Sequence, residues 1–183
     1  MVNLTGPSNT KLKNKDYWQT PYYLIPQIEG LFDVKIKLDP CSKDIISAKA
    51  SQFFNEKENG LNQDWSKHLT GDNDAAFVNP PFSNILPWIN KSIEECKKGC
   101  KVVFLHPHTA DTDVYQLIES HTSSQLSPTQ RLGFIDSLTG KVTDGVNFPS
   151  IISLISSTPV KTQDIKLYRF KLNNGVERRS SCV

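Results

Sequence analysis

No apolar run in the 183 residues approaches the length of a membrane-spanning helix, and the first fifteen residues are polar, without the hydrophobic stretch of a secretory signal. The expected compartment is therefore the cytoplasm, with no membrane partner. Cysteine is scarce. Cys41, Cys96, Cys100 and Cys182 show no paired C-x-x-C spacing and no companion histidine set, which argues against both a disulfide framework and a structural zinc site. No metal is expected. Cys96 and Cys100, four apart on a predicted helix, simply share a face. Net charge is also small: 21 Lys and Arg against 19 Asp and Glu leave +2. Such a surface is not a general polyanion glove, so any nucleic-acid contact must come from a local patch. There is no internal repeat, and no glycine-rich dinucleotide fingerprint follows any predicted strand.

The length suits one domain with a sizeable core. Residues 1–15 read as a flexible arm whose Lys11, Lys13 and Lys15 either contact phosphate or belong to a solvated tail. Residues 16–172 form the expected domain, and 173–183 a polar tail. Tyr22, Leu24, Ile25, Ile28 and Leu31 recur at helical spacing, predicting a helix that starts at Pro21 with Thr20 as N-cap and stops near Gly30. Strands are expected over 34–38, 52–54, 75–78 and 101–105. Between the last two, Ile85, Trp88, Ile89, Ser92, Ile93 and Cys96 predict a helix closed by Gly99. Strand–helix–strand alternation implies a parallel sheet. A further helix is expected over 113–120, and strands over 131–135, 150–155 and 166–171 are assigned to an antiparallel edge.

Asn79-Pro80-Pro81-Phe82 follows the apolar run Ala75-Ala76-Phe77-Val78. An amide side chain, two stiff prolines and an aromatic ring thus stand at the carboxyl end of a buried strand, where open α/β sheets bind ligands. The prolines hold Asn79 and Pro80 extended, so the Asn79 amide oxygen and the Pro80 carbonyl can both accept from one amino group. Phe82 offers a face for a flipped planar base. The chemistry implied is methyl transfer to an exocyclic or amide nitrogen.

Several phrases occur in order with this one: Asp16-Tyr17-Trp18-Gln19-Thr20-Pro21, Leu38-Asp39-Pro40-Cys41, Gly60-Leu61-Asn62-Gln63-Asp64-Trp65, Thr109-Ala110-Asp111-Thr112-Asp113 and Gln130-Arg131-Leu132-Gly133-Phe134. Together they resemble the phage-type DNA N6-adenine methyltransferases, small Dam-like enzymes using S-adenosylmethionine. The resemblance covers about Asp16 to Ile155. It implies a methyltransferase-like (Rossmann-like) α/β fold, a mostly parallel sheet with an antiparallel C-terminal edge, and methylation of adenine N6 in flipped-out DNA bases. By the same resemblance Trp18, Thr20 and Pro21 border the cofactor pocket, and Asp39, Pro40 and Cys41 approach the methionine end, Asp39 toward its ammonium. Asp64 and Trp65 line the adenosine side, and His108 and Arg131 contact the substrate. Each residue also has a plainer reading: Thr20 as a helix cap, Asp39 as a turn cap before Pro40, Trp65 as a core residue beside a surface Asp64, Arg131 as a surface ion-pair partner. Glu56 and Glu58, just beyond the second strand, are the available acids for a ribose.

Two departures from the family pattern are visible. Ser42-Lys43 stand where small residues would let the backbone approach a cofactor, and Pro107-His108-Thr109-Ala110-Asp111-Thr112 lacks the arginine of the family's corresponding phrase. Alternative acceptors are cytosine N4, an RNA base or a protein glutamine, and a methyltransferase-like binding protein without turnover is the other class. A cytosine-C5 mechanism through Cys41 is disfavoured, because that cysteine belongs to the cofactor loop rather than the base pocket. The chain has little room for a separate target-recognition domain, so short or relaxed sequence specificity is expected.

Overall fold

The computed structural model of the protein describes residues 18–136, 139–142 and 148–173. The expected N-terminal arm, and the expected tail beyond Asn173, lie outside the described residues. In chain order the strands are β1 (Trp18–Gln19), β2 (Lys35–Asp39), β3 (Gln52–Phe53), β4 (Asp74–Val78), β5 (Lys101–Pro107), β6 (Thr122–Pro128), β7 (Ile135–Asp136), β8 (Ser150–Ile155) and β9 (Lys166–Phe170). The α-helices are α1 (Leu24–Phe32), α2 (Leu86–Lys97) and α3 (Asp113–Ser120). Seven strands form one sheet in the order β3-β2-β4-β5-β8-β6-β9, and β1 pairs with β7 in a separate two-stranded ribbon.

The central strands carry continuous apolar runs, residues 75–78 and 102–105, because both faces of the sheet are covered there. Ala75, Phe77, Val103 and Leu105 pack with Leu24, Ile25 and Ile28 of α1, whereas Ala76, Val78, Val102 and Phe104 pack with Trp88, Ile89 and Ile93 of α2 and Ile118 of α3. The period-2 alternation of a strand thus divides each apolar run between two cores.

Three expectations are corrected. The first helix begins at Leu24 rather than Pro21, after turns in which Leu24 N donates to Pro21 O and Ile25 N to Tyr22 O. Thr20 is therefore not its N-cap. Pro26 falls within the first helical turn, where its missing N–H leaves no bond unmade. The helix then runs through Gly30 to Phe32 and stops at Asp33, which is left-handed at φ 53°. Second, residues 131–134 are not a strand, and the polar stretch 122–128 is one. Its residues carry little strand propensity, but β6 is hydrogen-bonded by β8 on one side and β9 on the other. Third, the described residues form no antiparallel C-terminal edge. β8 is the one reversed strand of the sheet and lies inside it, antiparallel to both β5 and β6, while the edge strand β9 runs parallel to β6.

This order places the site. From β2 the chain continues to β3 on one side, and from β4 through α2 to β5 on the other, so β2 and β4 are neighbours whose connections diverge. A crevice opens outside the carboxyl ends of such a pair, which here are Asp39 and the residues following Val78. No described helix is long and apolar enough to cross a membrane.

Candidate functional site

A cleft of about 540 Å³ opens at this divergence. Its walls come from the segment Trp18–Thr20, the loop after β2 from Asp39 to Lys49, the residues after β3 from Phe54 to Gly60, and Phe77, Asn79 and Pro81 around the end of β4. Residues far apart in sequence thus meet through the sheet order.

Asp39 is buried, and its carboxylate organises the loop: Oδ1 accepts from Cys41 N at 3.3 Å and Oδ2 from Lys49 N at 3.0 Å. Burial raises its pKa to about 6, against the lowering effect of those two amides and of the nearby Lys49 charge. Oδ1 also accepts from the Cys41 thiol at 3.8 Å, whereas Oδ2 keeps a further lone pair, so the group can still accept from a cationic ligand. The Cys41 thiol is pushed well up by burial and by Asp39, so it is no activated nucleophile. Its sulfur is approached by the Asn79 backbone amide, which links the loop after β2 to the loop after β4.

Gly60 explains why the loop after β3 fits. A Cβ built on it would lie 1.9 Å from the Pro40 carbonyl oxygen, so only glycine allows this approach. The Trp65 indole N–H donates to the Gly60 carbonyl at 2.8 Å and holds it there.

Thr20 lines the cleft at 1 % exposure, and among the described residues its hydroxyl has no hydrogen-bond partner. A buried hydroxyl left unpaired costs roughly 1–3 kcal/mol. A polar ligand in the cleft would satisfy it.

A second cavity of about 350 Å³ lies beside the first, lined by Phe82, Ser83, Ile85, His106, Pro107, Thr109, Thr112, Val114, Tyr115, Ile118 and Phe148. Asn79-Pro80-Pro81-Phe82 therefore borders both, Asn79 and Pro81 facing one cavity and Phe82 the other. Phe82 packs edge-on to Phe134 and Phe148, at centroid distances of 6.5 and 5.6 Å, and those two rings stack on Trp18 at 5.9 and 5.8 Å. At the cavity wall His106 is buried, with Nε2 2.9 Å from Ser153 Oγ and Nδ1 3.0 Å from the Pro107 carbonyl. Burial holds its pKa down to about 4, so at neutral pH the ring is uncharged.

Not every expected residue is brought to the site. Trp65 is fully buried in the α2 core and Asp64 points away to Lys98 at 3.0 Å; neither lines a cavity. The Ser66 hydroxyl and Lys98 lower the Asp64 carboxyl to about 2, marking it as an ion-pair partner. Their phrase acts on the cleft through Gly60 instead. Pro21 is buried beside the cleft without lining it. Arg131 is exposed and outside both cavities, and the neighbouring Leu132 and Phe134 are core residues. His108 is exposed, its ring 5.2 Å from that of Tyr115 at the second cavity. Of the two candidate ribose acids, Glu56 lines the cleft, while Glu58 accepts from Asn55 N at 2.9 Å. Ser47, Lys49 and Asn59 are cleft residues that the sequence did not single out. No spacing signal marks them, because the loops carrying them are irregular. Among the described residues no group of three or more His, Cys, Asp or Glu is placed to hold a metal ion.

Comparison with known proteins gives a consistent set of relatives. The family model described as DNA N-6-adenine-methyltransferase (Dam) matches residues 7–173. A DNA N-6-adenine-methyltransferase of Haemophilus phage HP1 is 30% identical over 149 residues, covering 80% of this chain and 82% of that protein. One of Escherichia phage T1 is 26% identical over 163 residues, covering 81% of this chain and 66% of that protein. The putative methyltransferase YfdM of Escherichia coli K12 is 36% identical over 89 residues, 48% of this chain and 91% of that protein. No solved structure matches the chain.

Proposed function

From the premise that the chain belongs to the DNA N-6-adenine-methyltransferase (Dam) family, we propose that its larger cleft holds S-adenosylmethionine and that its second cavity receives an adenine flipped out of DNA. The protein is a DNA methyltransferase acting on adenine N6. The sheet, with its crevice at the β2/β4 divergence, supports a methyltransferase-like, Rossmann-like assignment.

The residues present fit the methyl donor. The cleft offers a buried acid, Asp39, toward an ammonium, an unpaired buried hydroxyl, Thr20, toward a carboxylate, and Glu56 toward ribose hydroxyls. Trp18, Phe54 and Phe77 provide apolar wall. S-adenosylmethionine supplies an electrophilic methyl group when bound.

The chain's own contribution is positioning. The adenine amino group is a poor nucleophile because its lone pair is delocalised into the ring. Acceptance of its two N–H bonds by Asn79 Oδ1 and the Pro80 carbonyl turns that pair out of the ring plane and aligns it. Phe82 and the apolar lining of the second cavity hold the base plane and exclude water.

The observation that carries this reading is the tetrapeptide's position between the two cavities. Nucleoside mass spectrometry of DNA from cells expressing the chain tests it. N6-methyladenine is expected with the wild type and not with Asn79→Ala. N4-methylcytosine in its place would move the acceptor to another amino nitrogen, and no methylated nucleoside from a folded, ligand-binding protein would leave only a binding role.

A further inference from the structure

We propose that Lys49 is the cation that recognises the carboxylate of the methyl donor, with the Thr20 hydroxyl as its companion donor. This rests on the reading that the larger cleft holds S-adenosylmethionine. Lys49 lines that cleft at only 8 % exposure. Lysine is almost never so buried without a partner, yet among the described residues Lys49 forms no ion pair. Its ammonium donates to the Ser47 carbonyl and lies 4.0 Å from the centroid of the Tyr22 ring. Those contacts leave donor capacity unused on a group with three N–H bonds. The acids that act on its charge, Asp39 and Asp44, do so only at longer range, and among the described residues neither makes an ion pair with it.

Thr20 supplies an independent sign of a ligand. Its Oγ1 is buried in the same cleft and unpaired, which is rare for a buried polar atom. An acceptor-only group is what a hydroxyl donor and an ammonium both lack. A polyphosphate is disfavoured because Asp39 and Glu56 line the same cleft. An amino-acid zwitterion matches the set, its ammonium on the acid and its carboxylate on the cation and hydroxyl.

The test compares two ligands on the full-length protein by titration calorimetry. S-adenosylhomocysteine carries the carboxylate, and its decarboxylated counterpart, S-adenosyl-3-thiopropylamine, keeps the ammonium but lacks the carboxylate. The wild type should prefer the former by about 10- to 100-fold. In Lys49→Met that preference should collapse through weaker S-adenosylhomocysteine binding, with the decarboxylated ligand bound as before. Thr20→Val, which keeps the volume, should reduce the preference in part. Should Lys49→Met fail to fold, Lys49→Gln and Thr20→Val carry the same comparison. A structural lysine would weaken both ligands equally, and that result, or an undiminished preference, overturns the proposal. A wild type that binds both ligands equally overturns it while leaving the cleft assignment standing, whereas a wild type that binds neither removes the cleft assignment and the proposal together.

Discussion

The Asn79 side-chain nitrogen donates to the Trp18 carbonyl at 3.2 Å, joining residues 61 positions apart. The bond fixes which end of the amide is which. With Nδ2 committed to Trp18, Oδ1 is the end left to accept from an amino group, and the orientation needed for methyl transfer is set before substrate arrives. On the proposed reading the same residue has a structural bond and a chemical duty, and the two separate by mutation. Asn79→Ala should lower stability by about 1 kcal/mol but reduce the methylation rate about 10²–10³-fold or more. Asn79→Asp keeps an acceptor but loses the Trp18 bond, so partial activity is expected. Thermal melts alongside initial rates check both, and a rate loss no larger than the stability loss predicts would make Asn79 a structural residue.

Phe82 is T-shaped to Phe134 and Phe148 and lines the second cavity, where on the proposed reading its ring stacks on the base. Phe82→Ala should raise the KM for DNA by about tenfold or more, on the scale of one base–aromatic stack. Phe82→Tyr should stay close to wild type. Equal losses in the two variants would show that size, not the ring face, matters.

Gly60→Ala places a methyl group against the Pro40 carbonyl. Separation of the two loops should cost about 3 kcal/mol in chemical denaturation and abolish the ligand-induced rise in melting temperature. A well-folded Gly60→Ala protein that still binds S-adenosylhomocysteine would show that the loops can separate freely.

Asp39 gives two pH effects of opposite sign. Its carboxyl, at about 6 against an ordinary 3.8, contributes stability that is fully present below 3.8 and lost as pH rises through about 6. On the proposed reading ligand affinity runs the other way, because the ionised form would hold the ammonium. Affinity for S-adenosylhomocysteine should rise about tenfold per pH unit up to about 6 and then level off. Asp39→Asn should flatten that profile, and calorimetry at several pH values measures it.

His106 works in the reverse sense on stability. With its pKa held near 4 instead of 6.5, the neutral ring contributes stability that is present above 6.5 and lost as pH falls through about 4. The difference between wild type and His106→Gln should therefore shrink across that window by an amount on the order of 3 kcal/mol. Denaturant titrations of both proteins at each pH isolate the contribution, and a constant difference would show that His106 titrates normally.

The sequence by itself determined the doubly buried strands over 75–78 and 101–105, the helix over 113–120 and the position of Asn79-Pro80-Pro81-Phe82 at a strand end. These are local facts: apolar runs, helical spacing and proline stiffness act within a few residues. The ordered phrases also carried the family. Tertiary structure decided what lies far apart in the chain. β6 exists because β8 and β9 bond it on both sides, which its polar residues do not announce. The Gly60 to Trp65 phrase serves the cleft through Gly60, which lines it while packed on Pro40, with the buried Trp65 as anchor. The pairing of Asp39 with Asn79 across one crevice follows from divergent strand connections, and the burial of Lys49 and Thr20 from irregular loops folded over it. Burial, unpaired hydroxyls and shifted protonation depend on what surrounds a residue in space, and no local pattern of residue types contains that.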